Sequence, residues 1–148
     1  MPQETPRSRM TQEELVVRLQ EYHDRLATAA ARGSHWFEEA FADPPVGVAV
    51  HEYDASARIT RVNDEELRLL GYTREEMIGR HVWEFVVMAD ASRQSIEKKL
   101  AGEKDIKPFV RTFKRSDSSG VAMLIVDRRI LDAQGQPIGM RTAMTPVS

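Results

Sequence analysis

The sequence predicts an α+β fold: a five-stranded antiparallel sheet with helices on one face and an added N-terminal amphipathic helix. Three observations predict it. The stretch Arg61 to Arg80, RVNDEELRLLGYTREEMIGR, carries two helix-start signals, each followed by a glycine stop. The elements run helix, two strands, helices, three strands, and turns too short for crossovers join the last three. The chain has 148 residues, 41% of them hydrophobic and 30% charged, which fits one ordinary globular domain.

In chain order, residues 1–10 hold two prolines and mixed charge and read as a flexible tail. Thr11 and Glu14 form a capping box that opens a helix over residues 11–33. Leu15, Leu19, Tyr22, Leu26 and Ala29 recur along it at spacings of four and three residues. That seam either covers the domain's own core or pairs with a second copy as a coiled-coil dimer interface. Ser34 can cap a second, short helix, His35 to Ala42, presenting Trp36, Phe37, Ala40 and Phe41. Asp43-Pro44-Pro45 stops it.

Val46 to Tyr53 and Ala57 to Val62 read as strands around an Asp54-Ala55-Ser56 turn. Asn63 then caps one helix with Glu66 placed to bond back, and Thr73 with Glu76 caps another. Gly71 and Gly79 sit where left-handed terminators belong. A short helical turn is expected in His81 to Val87. Asp90 is placed to cap a helix from Ala91 to Ala101, stopped by Gly102. Ile106 to Lys114, Val121 to Leu131 and Gly139 to Thr145 form the final meander.

Composition removes several function classes. Net charge is −2, from 21 basic and 23 acidic residues, which gives no electrostatic case for nucleic acid or an anionic membrane. There is no cysteine, so disulfides, thiolate catalysis and cysteine metal sites are excluded. No apolar run approaches the roughly 18–20 residues of a membrane span. No hydrophobic signal core opens the chain, and a cytoplasmic location is the expectation. Hydrolase elbows, phosphate-cradling glycine loops and H-E-x-x-H are all missing.

The motif VN…E…L.LLGYTREEMIGR, with FADPPVGVAVHEY before it and RSDSSGVAMLIVDRRILDAQGQPIG after it, resembles a PAS domain. These are sensor modules of bacterial kinases and related regulators. The resemblance runs from Trp36 to Val147, about three quarters of the chain, which makes 34–148 the PAS domain. It implies a sensory or regulatory module of signal transduction, not an enzyme, that binds a small molecule or a signalling partner protein. It also implies a homodimer. The alternative is a ligand-free dimerisation or partner-docking domain with a solid core.

The resemblance also implies where a ligand pocket would lie. In the flavin-binding LOV photosensors a cysteine occupies the position of Val82. Two flavin-bonding asparagines correspond to Phe113 and Met123, and a glutamine to Arg141. An isopropyl group cannot act as a nucleophile, and apolar groups leave the flavin edge unpaired, so flavin photochemistry is not expected. Haem would need His51 or His81, yet lone histidines at such spacings are more often packed or exposed.

Strand alternation predicts that Phe109, Arg111, Phe113, Val121, Met123 and Ile125 face inward, with Arg141 joining from the last strand. Either these fill a solid core, or Arg111 or Arg141 anchors a carboxylate ligand through its guanidinium fork. Asp127, also inward, would neutralise an arginine, with Arg129 beside it. It is the only carboxylate placed to act as the base of an isomerase-like enzyme. Met88, Met123, Met140 and Met144 would make the core deformable. His23 and His35 are expected in solvent. Two departures from the family stand out. Ala143-Met144-Thr145 replaces an aspartate-x-threonine motif, and Ser118 replaces a turn glycine.

Overall fold

A computed structural model describes residues 10–147. The tail expected over residues 1–10 lies outside the described residues, Met10 apart. Helices α1 (Gln12–Arg32) and α2 (Ser34–Phe41) lead into β1 (Ala49–Asp54) and β2 (Ile59–Val62). Helices α3 (Asp64–Leu70), α4 (Arg74–Met77) and α5 (Ala89–Leu100) follow, with a 3-10 turn at Val82–Phe85. The meander is β3 (Phe109–Lys114), β4 (Gly120–Leu131) and β5 (Pro137–Pro146). The five strands lie in the order β2-β1-β5-β4-β3, all neighbours antiparallel. The predicted architecture is the one observed.

Each side of the sheet carries its own core, because successive strand side chains alternate faces. On one side Tyr53, Met77, Phe113, Met123, Ile125, Met140 and Met144 pack beneath α3 to α5. On the other, α1 and α2 cover Val48, Val50, Leu124, Val126 and Ala143. The capping box at Thr11 and Glu14 forms as expected, as does that at Thr73 and Glu76. Gly71 ends α3 at φ +83°, a left-handed conformation that a side chain disfavours. At Gly139 β5 runs so close to β1 that any Cβ would collide with the Tyr53 carbonyl oxygen.

Four local expectations are corrected. Helix α5 begins at Ala89 with Met88 at its cap position and no side-chain cap bond, so Asp90 lies inside the first turn. Helix α2 has Gly33, not Ser34, at its cap position. His23 is fully buried rather than solvated. Met88 is 67% exposed and belongs to no core.

The seam of α1 packs against its own chain. Leu19 and Leu26 are 0% exposed, Tyr22 2% and Leu15 6%, all against the sheet of their own chain, with Ala29 half-buried at the end. In this packing they cover the sheet of their own chain, the first of the two readings of the seam. The seam is as long as it is because α2 folds back under it. The Tyr22 hydroxyl donates to the carbonyls of Ala40 at 2.5 Å and Phe41 at 3.3 Å.

Candidate functional site

The side of the sheet beneath α3 to α5 is the chemically loaded one. Its apolar floor holds Phe113, Val121, Met123 and Ile125, all buried, with Val82 buried opposite them on the 3-10 turn. Phe109 and Arg111 share this face and are half-buried toward the open end of β3. Arg141 is not among them. It pairs in register with Arg128 and with Glu52 and so points to the α1 side. There its Nε donates to Glu52 Oε2 at 2.8 Å, and its guanidinium lies 5.2 Å from the Phe37 ring. The inward residue of that strand is the neighbouring Thr142.

Two buried ionic groups cross this core. Glu66, 0% exposed, does not bond back to the cap of its helix. Asn63 Oδ1 alone caps α3, accepting from the Glu66 amide at 3.0 Å. The Glu66 carboxylate instead takes the His51 Nδ1–H, at 2.8 and 2.9 Å to its two oxygens. Burial by itself would lower the His51 pKa, but the charge and hydrogen bond of Glu66, helped by Asp127, raise it. The imidazole ring lies between the rings of Tyr53 and Phe113, at 6.0 and 6.4 Å, and its Nε2 has no hydrogen-bond partner among the described residues.

The second group joins β4 and β5 to α5. Asp127 Oδ1 accepts the Thr142 hydroxyl at 2.5 Å, and Oδ2 lies 3.5 Å from Lys99 Nζ. Both charged side chains are 4% exposed. Burial lowers the Lys99 pKa and Arg111 adds to the effect, with Asp127 opposing both. Burial together with the Asp127 charge pushes the Tyr53 phenol well above its usual range, so it stays neutral. Arg129 does not pair with Asp127; it donates to the carbonyls of Lys99 and Lys104 and ties down the end of α5. Asp127 is therefore fully engaged, a poor arrangement for a general base.

Beside this group a cleft of about 400 Å³ opens between α5 and β3. Met88, Ala91, Pro108, Phe109 and Val110 give it apolar walls, and Lys99, Lys104, Lys107 and Arg111 line it with positive charge against the single carboxylate of Asp105. The two histidines considered for haem have other engagements: His51 is held by Glu66, and His81 stacks on Trp83 at 4.3 Å. Among the described residues no group of three or more His, Cys, Asp or Glu is placed to hold a metal ion. No helix among them is long and apolar enough to cross a membrane.

Of the eight expected pocket residues seven share this face, but only Phe109 and Arg111 line the cleft, and the pairs Glu66–His51 and Lys99–Asp127 were not among the expectations. For Glu66 no sequence signal distinguishes a capping carboxylate from a core one. For Lys99 there was a signal: position 99 falls three residues after the apolar Ile96, on the helix face that meets the sheet.

A sheet of this order, with connecting helices over one face, defines the PAS class of sensor folds, and the sequence agrees. The family described as PAS domain matches residues 45–147, and the chain belongs to it. Solved structures show the same fold. The PAS domain of an HTR-like protein from Haloarcula marismortui aligns with TM-score 0.63 and 23% identity, covering 86% of this chain and 99% of that one. A PAS domain of a Colwellia psychrerythraea protein aligns with TM-score 0.64 and 19% identity, over 74% of this chain and 92% of its own. A LOV protein from Rhodobacter sphaeroides gives TM-score 0.61 and 16% identity, over 87% and 68%. At such identities the likeness is one of fold. No curated protein sequence matches the chain.

Proposed function

We propose that this chain is a sensory module of signal transduction whose α3–α5 side receives a small molecule through the cleft between α5 and β3. PAS domains are a family of signalling sensor modules, so the coarse assignment follows from membership. The observation that supports ligand reception is the cleft itself. It is about 400 Å³, within the range of small-molecule sites, with apolar walls and convergent polar groups that include the buried Lys99. Signal transfer then rests on α5, which carries Lys99 and is tied to the sheet through it. A ligand acts only through its different affinity for two arrangements of that helix.

A partner-docking domain with a solid core is the second reading. It draws on the filled floor, where Met123, Met140 and Met144 are 0% exposed and Phe113 and Ile125 1%. The two readings separate in native mass spectrometry of freshly purified protein, combined with a thermal-shift screen of small metabolites. A retained mass or a saturable rise in Tm supports the sensor. A bare mass with a flat response to every compound supports docking alone.

A further inference from the structure

The strongest unexplained feature of the cleft is its charge. Four cations, Lys99, Lys104, Lys107 and Arg111, face it with one carboxylate, Asp105. Arg111 is only half-buried, its guanidinium 4.7 Å from the Phe109 ring, and among the described residues it has no ion pair. Its two neighbours are already committed: Asp127 to Thr142 and Lys99, and Lys99 to Asp127 across a long 3.5 Å contact. Lys99 Nζ also lies 3.7 Å from the Phe109 ring, the same ring that Arg111 approaches. One aromatic ring thus holds two cations at the head of an apolar-walled groove, with their combined charge only partly offset.

We propose that the cleft binds a small organic carboxylate whose oxygens lie on the Arg111 fork and whose apolar tail lies along Met88, Ala91 and Pro108. The proposal rests on the sensor reading and names the ligand class of that site. A planar carboxylate matches a guanidinium bidentately. The apolar walls favour an organic tail over a bare inorganic anion, which would leave them wet. Binding also has a structural consequence. A carboxylate on Arg111 offers Lys99 a second anion, in competition with Asp127. Among the described residues the 3.5 Å Lys99–Asp127 contact is the one salt bridge from α5 to β4, and Arg129 holds the Lys99 carbonyl independently, so exchanging Lys99's partner re-seats the Lys99 side chain at the end of α5.

The test is a thermal-shift titration at constant ionic strength with propionate, its neutral isostere propionamide, inorganic phosphate and chloride. Wild-type protein is expected to show saturable stabilisation by propionate, with little from propionamide, phosphate or chloride. Arg111→Gln, which keeps the stem and removes the charge, should weaken propionate binding at least tenfold. If that variant does not fold, Arg111→Lys, which keeps the charge and loses the fork, should weaken it several-fold. Hydrogen exchange at Lys98 to Leu100 should change on adding propionate. Equal stabilisation of wild type and Arg111→Gln overturns the site, and equal effects of chloride and propionate reduce it to ionic strength. Preferential phosphate binding overturns the organic-carboxylate assignment. Saturable binding of a neutral compound with carboxylates inert overturns the ligand class but leaves the sensor reading standing, whereas no response to any compound removes both.

Discussion

Two buried histidines, one on each face of the same sheet, have their pKa values pushed in opposite directions, and the contrast shows what each face is built for. His23, on α1, is 0% exposed; its Nε2–H donates to the Val126 carbonyl at 2.8 Å and its Nδ1 has no partner. Among the described residues no carboxylate bonds to it. Burial drives its pKa down to about 4, and the charges of Arg128 and Arg141 add to the effect over the opposing influence of Asp127. It is a neutral packing residue that satisfies one strand carbonyl just beyond the β3–β4 pairing, which ends at Ile125. His51 is just as buried but faces a carboxylate, and its pKa is raised. The α1 face is a lid whose one near-buried ion pair among the described residues, Arg141–Glu52, sits at 11% exposure. The α3–α5 face retains ion pairs in its core and opens beside one of them. Buried ion pairs seldom improve stability over apolar packing of the same shape. The two most deeply buried, His51–Glu66 and Lys99–Asp127, both lie on this face, while Arg141–Glu52 on the α1 face is 11% exposed, which marks the α3–α5 face as the one with another task.

The largest effect is expected from breaking the lid. Leu19→Glu with Leu26→Glu places two carboxylates where exposure is zero, and each should cost more than about 4 kcal/mol. The double variant should lose its cooperative melt altogether. A folded monomer with native circular dichroism would instead mean that the seam is a subunit interface. Next comes the loaded face. Glu66→Ala strands His51 in the core and should cost roughly 3–5 kcal/mol by denaturant unfolding. A loss under about 1 kcal/mol would show that the pair is not ionic.

Acidification sharpens the comparison at a somewhat smaller scale. The folded-state pKa of His23 lies near 4, below the ordinary 6.5, so the unfolded chain binds the proton more readily. The stability it contributes is complete above pH 6.5 and falls by roughly 3 kcal/mol as the pH drops toward 4. His51 has the opposite sign: its raised pKa gives stability that is complete below 6.5 and is lost as the pH rises through its folded value. His23→Gln should flatten the acid limb measured by chemical denaturation at each pH, while leaving the alkaline limb unchanged. The smallest effect belongs to Arg141→Ala, which removes an 11%-exposed partner of Glu52 at a cost of about 1–2 kcal/mol. Its response to carboxylates should match wild type, because Arg141 lies on the lid face.

Much of this molecule was legible in the sequence, and the failures have physical causes. Asn63, Thr73 and Thr11 cap helices through contacts three residues away, and such local geometry can be read without a fold. Arg141 was misplaced by one position of strand parity, which moves a side chain to the opposite face. The alternation Met140, Thr142, Met144 against Arg141, Ala143, Thr145 already favoured the observed register. Asp90 lost its capping role because α5 starts two residues earlier than expected, at Ala89. His23 looked solvated because it flanks the apolar seam at Tyr22. It is buried because the sheet is wide enough to reach it, and that width depends on strand pairing far away in sequence. Lys99–Asp127 and His51–Glu66 join residues 28 and 15 positions apart, beyond any local spacing rule.

The two-histidine contrast is tested most directly by nitrogen-15 NMR of the imidazole rings across pH 4 to 8. The account predicts that His23 stays neutral, protonated on Nε2, until near pH 4, while His51, with a proton on Nδ1 beside Glu66, titrates above 6.5. Two ordinary titrations near 6.5, or a neutral His51 at pH 6, would contradict it.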